Sequence, residues 1–158
     1  FYKEVLNVPF IFYHPRLFKH RRCQLPIDHI DLMPTLLDLA GLETPSFAHG
    51  RSLLPFLTGQ KNDSQNKKRY QISERITVHP QGLRETTPET SGHFMIKDDR
   101  YKYIKYSDGQ EYLYDIKADP DETKNITDDP DHAEKKENLK LQLTKKLNQT
   151  GWNGKPPV

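Results

Sequence analysis

Hydrophobic and polar positions follow different rhythms along this chain, and each rhythm predicts an element. Val8, Phe10, Ile11, Phe12 and Tyr13 form a short apolar run of β-branched and aromatic residues that stops at His14 and Pro15. Such a run reads as a strand buried on both faces, with Pro9 confined to its beginning because it offers no N–H to a ladder. From Asp28 to Ala40 the period changes. Ile30, Met33, Leu36, Leu37 and Ala40 recur every three or four residues and predict a helix with one apolar face. Asp28 or Asp31 suits its start, Pro34 fits its first turn, and Gly41 suits its C-cap. Pro45, Gly50, Pro55 and Gly59 punctuate a wrapping loop with one short apolar element at Leu53–Leu57. Gln60 to Lys68 is polar throughout and marks a boundary between two parts of the chain.

The second half reads as a meander. Tyr70 and Ile72 alternate with polar residues as a half-buried strand, and a long loop follows from Thr77 to Ser91. Phe94–Lys97, Tyr101–Tyr106 and Glu111–Ile116 predict three further strands, separated by Asp98-Asp99 and by Ser107-Asp108-Gly109. Lys102 and Lys105 are expected to face solvent. Asp131 with Glu134 predicts a capping box for a last helix, whose Leu139, Leu143 and Leu147 lie four residues apart and cover one sheet face.

Composition narrows the function. The 158 residues carry 24 Lys+Arg against 22 Asp+Glu, a balance unlike that of a dedicated nucleic-acid binder. No apolar run approaches the roughly 18–20 residues that a membrane helix needs. The single cysteine, Cys23, excludes an internal disulfide and a cysteine-built zinc cage. Starting at Phe1 without an initiator Met, with a buried strand that lacks neighbours, the chain reads as a processed product or a piece of a longer protein.

The chemistry on offer is sparse. No Gly-x-Ser-x-Gly elbow presents a serine, and Cys23, despite Arg21 and Arg22 beside it, reads as a small buried hydrophobe. The seven histidines are scattered singly, without His-Glu-x-x-His spacing. Asp119, Asp121, Glu122, Asp128, Asp129 and Asp131 lack the glycine and terminal glutamate of an EF-hand loop and read as turn and cap residues. Arg16, Lys19, His20, Arg21 and Arg22 form a basic stretch, read as a solvated loop or as a surface for a sulfated or phosphorylated ligand. His93 and Arg84 are the substrate-binding candidates. Both belong to the stretch where the long loop leads into a strand, and an arginine there would suit sulfate or carboxylate through paired hydrogen bonds.

Several segments, in order, resemble the C-terminal region of the formylglycine-dependent sulfatases of the alkaline-phosphatase-like superfamily. They are Tyr2-Lys3-Glu4-Val5-Leu6-Asn7-Val8-Pro9 and Ile30-Asp31-Leu32-Met33-Pro34-Thr35-Leu36-Leu37-Asp38-Leu39-Ala40-Gly41, then Gly50-Arg51-Ser52-Leu53-Leu54-Pro55 with Leu57 and Gly59. Met95-Ile96-Lys97, Tyr101-Lys102-Tyr103-Ile104 and Leu113-Tyr114-Asp115-Ile116 follow, with Asp119-Pro120, Glu122 and Asn125 after them. The resemblance implies an α/β fold, α+β in its C-terminal part. Residues 1–59 would end an alkaline-phosphatase-like catalytic domain, and residues 60–158 would form a small antiparallel sheet with a packed helix.

It also implies a sulfuric ester hydrolase, acting through formylglycine with bound calcium or magnesium. In Cys23-Gln24-Leu25-Pro26-Ile27 the proline falls one place late for the Cys-x-Pro-x-Arg precursor and the arginine is missing. The nucleophile, the metal ligands and the catalytic lysine are therefore expected upstream of Phe1. No catalytic residue and no metal ligand is expected in this segment, which would be inactive alone. Its expected partners are a sulfated substrate and the N-terminal catalytic region, with no nucleic acid and no membrane span. The family is often periplasmic, secreted or lysosomal. Two other readings are kept: a phosphonate or phosphodiester hydrolase of the same superfamily, and a non-catalytic anion or glycan-binding module.

Overall fold

A computed structural model of the chain describes residues 1, 3–62, 69–78 and 90–149. They divide into two compact units, one from Tyr2 to Arg69 and one from Tyr70 onward, to which Phe1 also belongs.

The first unit holds three short helices, α1 (Lys3–Leu6), α2 (Leu32–Leu39) and α3 (Leu54–Leu57), with a 3-10 turn at His29–Asp31 leading into α2. Gly41, at φ +69°, ends α2: its own N–H reaches the Asp38 carbonyl at 3.1 Å, and the Leu42 N–H reaches Leu37 at 2.9 Å. That paired closure is the Schellman arrangement expected of a C-cap glycine. Two expectations fail in this unit. Residues 8–13 join no strand. Phe10 and Phe12 turn inward and meet edge to face at 5.2 Å, whereas Ile11 and Tyr13 are 85% and 84% exposed. A segment with no ladder partner among the described residues has nothing to bury its second face. The apolar face expected on α2 also points outward. Ile30, Met33 and Leu36 are exposed, while Asp31, Pro34 and Thr35 are buried.

The buried face of α2 is held by polar contacts. Thr35 Oγ1 donates to the Asp31 carbonyl at 2.6 Å and accepts the Leu53 N–H at 2.9 Å. Asp31, 0% exposed, accepts the Arg51 N–H at 2.9 Å, the Asp28 N–H at 3.1 Å and Arg69 Nη1 at 2.5 Å. A buried carboxylate needs such a full set of donors. The same motif residues thus tie the helix entry, the Gly50–Leu53 loop and Arg69 to one side chain.

The second unit is a four-stranded antiparallel meander in the order β1 (Gln71–Val78), β2 (Thr90–Lys97), β3 (Tyr101–Lys105), β4 (Glu111–Asp115). The loop expected between Thr77 and Ser91 is shorter at both ends, because β1 runs to Val78 and β2 begins at Thr90. One sheet face carries Phe94, Ile96, Tyr103 and Leu113, which pack with Ile126 and with Leu139 and Leu143 of α4 (Ala133–Gln149). The leucine spacing read from the sequence is the spacing that meets the sheet.

The helix start differs. Asp129, rather than an Asp131–Glu134 box, caps the 3-10 turn Pro130–His132 by accepting the Asp131 N–H at 3.0 Å. Pro130 explains the shift, since proline favours the first position of a helical turn and puts the cap one residue before it.

Asp98 closes the β2–β3 turn and ties it to α4. It accepts the Arg100 N–H at 2.9 Å, the Tyr101 N–H at 2.8 Å and Lys135 Nζ at 2.6 Å. Burial alone would raise its pKa, but the Lys135 ammonium and the two backbone N–H groups prevail and hold it at about 2. A depressed folded-state pKa contributes stability that is present above the ordinary aspartate range and is lost as pH falls toward 2. Asp98→Asn is expected to cost about 2 kcal/mol near neutrality. In urea unfolding its deficit against the parent chain should shrink between about pH 4 and pH 2. A deficit independent of pH would remove the ionic explanation.

Candidate functional site

The sheet face opposite α4 gathers the chemistry of the second unit. Alternation along the strands places His93, Met95 and Lys97 of β2 on it, beside Lys102 and Ile104 of β3 and Tyr112 and Tyr114 of β4. The His93 ring lies 5.0 Å from Tyr106, Tyr106 lies 5.5 Å from Tyr112, and Tyr112 and Tyr114 run nearly parallel at 6.3 Å. His93 Nδ1 accepts the Ser107 N–H at 3.3 Å, which leaves Nε2 to carry the proton of the neutral ring. Arg75 stands directly across from His93 on β1. Of the two substrate-binding candidates, His93 therefore sits at one end of an aromatic row, while Arg84 lies outside the described residues.

Lys102 corrects an expectation. It is 1% exposed, not solvent-facing. Its Nζ forms an ion pair with Glu122, donates to the Phe1 carbonyl at 2.6 Å and lies 5.8 Å from the centre of the Tyr114 ring. Glu122 is the one non-glycine residue at positive φ among the described residues, at 56°. A left-handed glutamate is strained, and the contact it makes with a buried ammonium is what holds it there.

The residues around it complete the same corner. Asp119 accepts the Lys124 N–H at 2.8 Å, and Asn125 Oδ1 accepts the N–H groups of Leu113 at 2.9 Å and Thr127 at 3.1 Å. The Asp119–Asn125 segment is thus a built corner that pairs the outer edge of β4. Lys102 and Glu122 are what sequence reasoning missed as a pair. The available signal was a lysine between two tyrosines in mid-strand.

On the helix side, Glu111 faces Lys140 at 3.5 Å and Lys136 at 3.9 Å. Burial would raise its carboxyl, yet the Tyr103 hydroxyl and these ammoniums hold it below the usual range. Burial, and then Glu111 itself, push the Tyr103 phenol up. These groups fasten β4 to α4. Cys23 is a half-buried free thiol. No group of three or more His, Cys, Asp or Glu that could hold a metal ion is found among the described residues.

A four-stranded antiparallel sheet with a C-terminal helix is the mixed α/β arrangement of the sulfatases and their alkaline-phosphatase-like relatives. Residues 1–149 match the family described as N-sulphoglucosamine sulphohydrolase, C-terminal. The chain belongs to that family and corresponds to the C-terminal region of proteins of the alkaline-phosphatase-like superfamily.

A Delta 4,5-hexuronate-2-O-sulfatase of Bacteroides thetaiotaomicron is 40% identical over 140 residues, 84% of this chain and 27% of that protein. A phosphonate monoester hydrolase from Silicibacter pomeroyi superposes with a TM-score of 0.66 at 30% identity, over 80% of this chain and 26% of that one. A structure in complex with its substrate D-glucosamine-2-N,6-O-disulfate superposes with a TM-score of 0.59 at 29% identity, over 78% and 24%. The chain therefore spans about a quarter of the length of the relatives it matches.

Proposed function

We propose that the protein to which this chain belongs hydrolyses sulfate esters on a glycan or small organic sulfate, and that this segment shapes the substrate cleft. The observation that carries the proposal is the family match across residues 1–149, joined to 40% identity with a hexuronate sulfatase. Residues 1–59 would complete the catalytic domain and residues 60–158 would form the smaller subdomain beside it. His93, with Nε2 as donor, and Arg84 would contact the sulfated substrate. Both supply N–H groups suited to sulfate oxygens.

The nucleophile and a calcium or magnesium ion belong, on this reading, to other parts of the protein. The described residues do not fit a metal ion. The likeness to a phosphonate monoester hydrolase favours one second reading, the same architecture acting on phosphonate or phosphate esters.

Parallel assays of the full-length parent separate the two. Release of sulfate from hexuronate-2-O-sulfate or glucosamine sulfates, faster than turnover of a phosphonate monoester, is the expected result. Preference for the phosphonate would replace the first reading with the second.

A further inference from the structure

The first unit carries a basic loop. Between Glu4 and Asp28 the chain has four cationic side chains, Arg16, Lys19, Arg21 and Arg22, and no carboxylate, in a protein whose whole excess is +2. Several cations elsewhere sit against acids: Arg69 on Asp28 and Asp31, Arg100 on Asp115, Lys102 on Glu122, Lys135 on Asp98, Lys140 on Glu111. Among the described residues, Arg16, Lys19 and Arg22 have no such carboxylate, and all three are exposed.

The loop that presents them is built. His14 Nδ1 accepts the N–H groups of Arg16 at 3.3 Å and Leu17 at 3.1 Å, and the His14 carbonyl accepts that of Phe18 at 3.0 Å. Phe18 then folds edge-on against His14 and Phe12, at 6.1 and 6.4 Å. Arg21 anchors the far end by donating through Nη1 to the Phe56 carbonyl at 3.0 Å. A turn at one end and an anchor at the other hold three unneutralised cations outward within seven residues.

We propose that this loop, through Arg16, Lys19 and Arg22, binds a sulfated polysaccharide chain. The choice of a sulfated glycan over another polyanion rests on the sulfatase reading. Guanidinium groups pair with sulfate as with phosphate, so charge alone would not decide. Such a loop raises the local concentration of polymer substrate and leaves short substrates unaffected.

The test is titration of the 158-residue chain with a heparin hexasaccharide, a desulfated hexasaccharide and a short DNA duplex, at several salt concentrations. The variant Arg16→Gln/Lys19→Gln/Arg22→Gln is compared with Lys61→Gln/Lys145→Gln/Lys146→Gln, which removes the same charge from other exposed positions. The first variant is expected to lose about tenfold or more in affinity for the sulfated hexasaccharide, with the slope of log K on log salt falling by about two. The second variant should stay within about twofold of the parent chain. Circular dichroism must show all three proteins equally folded; if the glutamines unfold the loop, Arg16→Lys/Arg22→Lys, which keeps the charge, must retain binding.

Equal losses in both triple variants, no binding of the sulfated hexasaccharide, or tighter binding of DNA would each overturn the proposal. The sulfatase reading is scored separately by sulfate release from the full-length parent. A chain that ignores heparin while its parent releases sulfate sinks only the loop; a chain that binds while its parent prefers phosphonates sinks only the sulfatase reading.

Discussion

Lys102→Ala is expected to destabilise the second unit by about 3–5 kcal/mol, the usual cost of breaking a buried ion pair by removing one partner. The mutation strands the Glu122 carboxylate, whose side chain is 11% exposed, and takes the donor from the Phe1 carbonyl. Domains of this size are stable by about 5–15 kcal/mol, so the loss is a large part of the total. Glu122→Gln should cost a similar amount, because it leaves an ammonium that is 1% exposed without its counter-charge. The double variant Lys102→Met/Glu122→Gln removes both charges and should recover most of the loss. Urea unfolding of the parent, Lys102→Met, Glu122→Gln and the double variant closes the cycle that gives the coupling directly. A Lys102→Ala variant within about 0.5 kcal/mol of the parent would show that the pair is a surface contact.

Gly50→Ala is the second large effect, for a steric reason. A Cβ at Gly50 would stand 1.9 Å from the Ile30 carbonyl oxygen and 2.9 Å from the Asp31 nitrogen, both backbone atoms that cannot rotate away. The loop must then lift off the His29–Asp31 turn. That breaks the Arg51 N–H bond to Asp31 and the Leu53 N–H bond to Thr35, both 2.9 Å long. Overpacking of about 1–3 kcal/mol, together with a lost bond to a buried charge, gives an expected cost of about 3–5 kcal/mol. Gly59→Ala makes the contrast. Its Cβ would meet nothing within 4 Å, and only its φ of +78° resists the change, so the cost should be nearer 1 kcal/mol. Hydrogen exchange at the Leu53 amide is the local readout: protection should vanish in Gly50→Ala and persist in Gly59→Ala. Equal protection in both would remove the close-approach argument.

The parts of this fold that could be read from sequence are those whose signal is local. Gly41, Asp108-Gly109 and the leucines of α4 fix a cap, a hairpin and a buried face from a few neighbouring residues, and the structure uses each as expected. Sequence and structure part where burial depends on distant partners. Periodicity finds the apolar face of α2 but not what covers it, and the polar residues Asp31 and Thr35 are buried because the Gly50–Leu53 loop supplies their hydrogen bonds. Alternation in Tyr101–Lys105 marks Lys102 as the polar face of a strand. Only Glu122, some twenty residues on and in a left-handed turn, makes that face a place for a buried ammonium.

The candidate site divides in the same way. His93 is legible as a polar residue at the entrance of a strand, whereas the row it forms with Tyr106, Tyr112 and Tyr114 needs the register of three strands.

The central claim is that this segment walls a cleft whose reactive groups lie elsewhere in the protein. Sulfate release from a sulfated hexuronate disaccharide, with calcium supplied, measured side by side for the full-length parent and for residues 1–158, tests it most directly. The account predicts turnover by the parent and none above buffer by the segment. Turnover by the segment would contradict it, as would a folded parent inert on every sulfate ester tried.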